Sequence, residues 1–253
     1  MHMLSNWTLT LEVDHILRAQ GADPSILRSR SPKLIQHAEW ALKYGIPLLQ
    51  PRVVYAEYRV EALRHEKLVL IPSVYSSHEN QPIIDIKITE KYISGTLIAQ
   101  HLAQAQSVIV MLCTIGENIE WESKRILKSS PLDAWALDSL GSAAVEMLAN
   151  QACNFFEAKA QANGLHTSLP LSPGMIGWTV ELGQTQIFSL LNSQEIGITL
   201  NESKMMIPQK SISIVLGEGI HITNDGNTCD FCAMSKVCQY KNHYSNHPRI
   251  DHG

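Results

Sequence analysis

Between Ser130 and Gly164 the chain carries one uninterrupted helical pattern, and whatever else forms must pack along it. Ser130 is a capping residue, Pro131 suits the first turn of a helix, and Gly164 suits an exit. Leu137, Leu140, Ala144, Leu148, Ala152 and Phe155 recur at helical spacing and predict a core-facing stripe. The section "LGSAAVEMLA" is small-sided, which permits another backbone to approach closely.

The flanking segments supply the rest of a core. "TLTLEVDHILRAQGAD" reads as a helix through Leu11, Val13, Ile16 and Leu17 that stops at Gly21, and "SPKLIQHAEWALKYG" as a helix capped by Ser31 and followed by Gly45. "RVVYAEYRVEAL" and "KLVLIPSV" are β runs broken by the charged turn "RHEK", and "PIIDIKITEKYIS" continues the strand character. A helix over 95–105, a buried strand over Val108–Thr114 and a helix in "GENIEWESKRILKS" precede the long helix. After it, "GQTQIFSLLNSQEIG" reads as helix and "LNESKMMIPQKSISIVLGEG" as two strands around Pro208. Ser211, Ser213 and Val215 alternate there against Ile212, Ile214 and Leu216. Helices and antiparallel-looking strands segregate rather than alternate, so the expected class is α+β, with the long helix on an antiparallel sheet containing 211–216. The expected organisation is an α+β domain over 1–220 and a cysteine- and histidine-rich tail over 221–253.

Composition narrows the function. Of 253 residues, 45% are apolar and 17% charged, as in an ordinary soluble globular chain. A net charge of −4 with a pI near 6.2 argues against a nucleic-acid surface, which needs a basic stripe. No apolar run approaches the ~18 residues of a membrane span, and the N-terminus lacks a signal peptide's basic and apolar regions, so the expected location is cytoplasmic.

Three constellations could carry chemistry. Asp138, Ser142 and Glu146 stack at i, i+4 and i+8, either as a solvated helix face or, with Gly141, Ala143 and Ala144 beside them, as a pocket wall. In the wall reading Glu146 would accept hydrogen bonds from a ligand's ammonium or hydroxyl groups. "LPLSPGMIGW", 169–178, crowds two prolines and two glycines into ten uncharged residues, a turn that brings backbone close either to another element or to a ligand. Cys113 and Cys153 read as buried thiols, whereas Cys229, Cys232 and Cys238 cluster with metal-ligand spacing. His243 is the nearest fourth ligand for zinc, with His247 and His221 in reserve, and an iron–sulfur centre is the alternative.

Four pieces in order, "ALDSLGSAAVE", "SPGMIGW", "QIFSLL" and "IGITLNESKMMIPQKSISIVLG", resemble the activation-domain family of vitamin B12-dependent methionine synthase, in particular its stand-alone, cysteine-tailed members. The resemblance is strongest over 138–217. It implies binding of S-adenosylmethionine (AdoMet), which is presented to an oxidised corrinoid on another domain or protein. Cobalamin would thus be met only through a partner, a corrinoid-binding protein or methionine synthase modules. By position, the family's glutamate falls on Glu146 and its turn glycine on Gly174; Ser172, Met175, Glu202 and Ser203 complete the implied site.

The family's arginine, which would grip the methionine carboxylate, is Pro170 here, and its tyrosine is Met175. No arginine occurs between residues 126 and 248, which leaves Lys204 and Lys210 as the nearby cations. Losing a charge-assisted bidentate contact costs about 2–5 kcal/mol when its partner stays buried. The departure therefore predicts weak or absent AdoMet binding on an intact fold. Two functions follow: an accessory protein of corrinoid methyl transfer, or a scaffold on the same fold that has lost AdoMet.

Overall fold

The computed structural model describes residues 1–26, 31–73, 90–224 and 226–238. A seven-stranded antiparallel sheet lies between two apolar layers. It is built from β1 (His2–Leu4), β2 (Arg52–Arg64), β3 (Lys67–Pro72), β4 (Lys91–Ser94), β5 (Ser107–Thr114), β6 (His166–Thr167) and β9 (Ser211–Gly219). Strand order is β4-β3-β2-β5-β9-β6, with β1 also paired to β2. Short strands β7 (Thr199–Leu200) and β8 (Met206–Ile207) form a separate hairpin. The segment 74–89, with most of the expected strand in "PIIDIKITEKYIS", lies outside the described residues.

Alternation along β2, β5 and β9 explains the two layers, because successive strand side chains point to opposite faces. Val53, Tyr55, Met111, Cys113, Ile214 and Leu216 face one way and Val54, Ala56, Val110, Leu112 and Val215 the other. Both faces are buried, so β5 reads as a continuous apolar run. The first face carries α1 (Val13–Ala19), α2 (Pro32–Gly45), α4 (Asn118–Ile126) and the long α5 (Pro131–Ala162). The second carries α3 (Thr96–Leu102), α6 (Val180–Leu190) and the Pro-Gly turn.

The long helix ends within a residue of its expected bounds, and Leu137, Leu140, Ala144, Leu148 and Ala152 are buried as its spacing requires. Phe155 is a correction. It is 45% exposed while Phe156 is fully buried, because one step along a helix turns a side chain by about 100°. Gly45 belongs to α2 and serves packing more than termination. A Cβ there would sit 2.3 Å from Leu140 and 2.6 Å from Leu137, so the glycine lets α2 lie close on α5. The helix expected over "GQTQIFSLLNSQEIG" is split. It begins earlier, where Thr179 caps Leu182, stops at Leu190, and a single 3-10 turn covers Ser193–Ile196.

Candidate functional site

Glu146 projects from α5 on the helix-bearing side. Its carboxyl lies beside the thiols of Cys113 and Cys153, and burial raises its pKa above the ordinary carboxylate value. The same burial, with Glu157 and Glu146 adding negative charge, pushes the Cys153 thiol up to about 12, so both cysteines are inert core thiols. No donor among the described residues reaches the Glu146 carboxyl. The other members of its stripe are engaged. Lys210 places its Nζ 2.9 Å from the Asp138 carboxylate and 2.9 Å from Ser142 Oγ, and its backbone N–H donates to Glu120 Oε1 at 2.8 Å. The cation considered as a substitute clamp is thus held at the far end of the stripe.

Pro170 lies on the edge of the sheet next to β9. Leu171 exchanges both backbone hydrogen bonds with Val215, at 3.0 and 2.8 Å. Leu169 and Leu171 both bury in the layer beneath the turn, and Pro170 between them is half-buried. Past the Leu171–Val215 bridge, toward Ser211, the outer edge of β9 has no strand partner among the described residues.

The rest of the turn goes to the other face. Gly174, at φ +102°, donates its N–H to Trp178 O at 2.8 Å, a conformation that favours glycine. Met175 does not point to solvent. It is 8% exposed, packs in the second layer, and its sulfur accepts the Ser172 N–H at 3.4 Å. Trp178 is fully buried and donates its indole N–H to Gln186. The close backbone approach that the sequence implies is made to α3: a Cβ on Gly177 would lie 3.0 Å from Leu97 N, and one on Gly95 2.6 Å from Gly177 O. Glu202 and Ser203 are exposed in the turn between β7 and β8.

The tail returns to this turn. Asn227 accepts the Cys229 N–H at 3.0 Å and opens a single 3-10 turn, Thr228–Phe231. Cys232 forms a β-bridge with Met175, and the Ile176 N–H donates to Phe231 O at 2.8 Å. The Phe231 ring sits edge-on to His101 at 4.6 Å, and burial lowers the His101 pKa. Spacing could not have revealed this pairing, since more than fifty residues separate its halves; the one hint was an aromatic inside "CDFC".

Cys229, Cys232 and Cys238 are free and half-buried. Among the described residues no three metal-ligating side chains are gathered on one point, and His243 and His247 lie outside those residues. His221 lines a separate cleft of about 400 Å³ with Glu157, His166 and Thr223. A second cleft, about 560 Å³, lies by Tyr58, Lys91 and Asn192. No helix among the described residues is long and apolar enough to cross a membrane.

No protein-family model and no curated protein sequence matches the chain. Among solved structures, the fold is similar to that of the MetH reactivation domain bound to AdoHcy. The TM-score is 0.58 at 12% identity, covering 89% of this chain and 80% of that one. The shared feature is the fold: a curled antiparallel sheet packed with helices that include one long helix.

Proposed function

We propose that this chain is an accessory protein of corrinoid-dependent methyl transfer, holding AdoMet weakly beside an oxidised corrinoid carried by another protein. The observation that carries the reading is the fold it shares, over 89% of its length, with a reactivation domain that binds AdoHcy. The local geometry supports it. Glu146, half-buried on the long helix with a raised pKa and no donor among the described residues, suits a ligand's ammonium or hydroxyl groups. When bound, AdoMet would supply the methyl group, and the partner's corrinoid would accept it after one-electron reduction. This chain contributes binding and orientation. Glu146 accepts from the ligand, the β9 edge shapes the rim, and Pro170 leaves the ligand carboxylate without a clamp.

A second reading, a scaffold that docks a corrinoid protein without AdoMet, draws on Met175. At the position of the family's aromatic cover, it is buried in the core with the tail bridged across it. Calorimetric titration with AdoMet and AdoHcy separates the two. The first reading expects binding weaker than about micromolar that Glu146→Gln reduces further. The second expects no heat with either ligand while a corrinoid-binding module still associates.

A further inference from the structure

The cysteine tail is held to the domain by little of its own. Met234 and Val237 are 59% and 70% exposed, so Phe231 is the tail's principal apolar anchor, joined by the Ile176–Phe231 hydrogen bond and the Met175–Cys232 bridge. That is small payment against the entropy of ordering a polar segment. Its backbone is nonetheless wound in tight turns, although the three thiols are not gathered on one point among the described residues. The Cys232 N–H turns back on Cys229 O at 3.3 Å, which puts the two thiols three residues apart on a single turn. Two more turns, Ser235 N–H to Cys232 O and Val237 N–H to Met234 O, both 3.0 Å, coil the chain on to Cys238. Soft sulfur donors closely spaced on tight turns suit one zinc ion. Because such a site hardly exists in the disordered chain, the energy of binding becomes energy of folding.

We propose that Cys229 and Cys232, with Cys238 closing as a third ligand, bind one zinc ion, and that this loading fastens the 172–178 turn through Phe231 and Cys232. The ion orders the tail; the tail, paired to Met175 and Ile176, then restrains the turn that packs against α3. Neither AdoMet nor a corrinoid enters this inference, so its failure would leave the proposed function standing, and the reverse.

The test uses the full chain, reduced and stripped of metal, titrated with zinc and, as a coloured stand-in, with cobalt(II). One equivalent of cobalt should bring a thiolate charge-transfer absorption that zinc displaces, and Cys229→Ser with Cys232→Ser should abolish it. Zinc should slow amide exchange at Ile176 about tenfold, equivalent to about 1.4 kcal/mol of local stability. Phe231→Ala should keep the cobalt band but lose most of that slowing. No thiolate band, a band that survives the double serine variant, or exchange at Ile176 indifferent to zinc would each overturn the proposal. So would an iron–sulfur centre in anaerobically purified protein.

Discussion

At Glu146 stability and the proposed ligand role pull in opposite directions. Unfolded, the side chain titrates near its ordinary 4.5, and in the folded state burial raises that value. Between the two values the folded state binds more protons than the unfolded one, so stability falls as pH rises through that window. Glu146→Gln should therefore be more stable than the native protein at neutral pH, the difference closing in acid below the ordinary carboxylate range. Urea unfolding across a pH series checks this, and a glutamine variant no more stable at neutral pH would contradict it. The turn glycines make a sharper contrast. Gly177→Ala puts a Cβ against backbone at positive φ and should cost about 1–3 kcal/mol. Gly164→Ala, also at positive φ but in open space, should cost only about 1 kcal/mol. The unsatisfied position 170 is the remaining residue-scale test. Pro170→Arg should tighten AdoMet binding about thirtyfold, the lower end of the roughly 2–5 kcal/mol such a contact is worth. Met175→Tyr should not help, because it overpacks a buried position at a cost of about 1–3 kcal/mol.

Among the elements, α5 was legible almost to the residue because Pro131 and Gly164 mark its ends and helical spacing fixes its buried stripe, although the Ser130 hydroxyl makes no cap bond and donates to Asp133 instead. The sheet was legible in its central strands, where β branching and alternation coincide. One step of helical phase separated Phe155 from Phe156, and truncation should register it. Phe156→Ala should cost about 3–5 kcal/mol in chemical denaturation. Phe155→Ala should cost far less, although its ring touches Trp7 and Phe156 edge-on. What sequence could not disclose was the role of residues whose meaning is set by a distant neighbour. Gly45 looks like a helix stop until Leu137 and Leu140 are seen beneath it. The Pro-Gly turn leaves open whether it approaches another element or a ligand until Gly95 and Leu97 are seen against Gly177.

Across the whole molecule, the residues that the sequence groups into one candidate site lie on different elements. Glu146 stands on α5, whereas Met175 packs in the layer on the other face, and Glu202 and Ser203 stand on an exposed hairpin. Turn and tail, separate motifs in the sequence, meet through Ile176 and Phe231. The packing of the turn on the second layer decides the first separation, and long-range pairing decides the second. Both bear on whether this fold still serves methyl transfer to a corrinoid. The direct measurement is the visible absorption of a corrinoid-binding module loaded with cob(II)alamin, mixed with this protein, excess AdoMet and a strong reductant. Methylcobalamin should accumulate only when the protein is present, with half-saturation in AdoMet above about micromolar and lowered by Pro170→Arg. A spectrum that never leaves the reduced or cob(II)alamin form at any AdoMet concentration, with the protein folded and the arginine variant no better, would contradict the account.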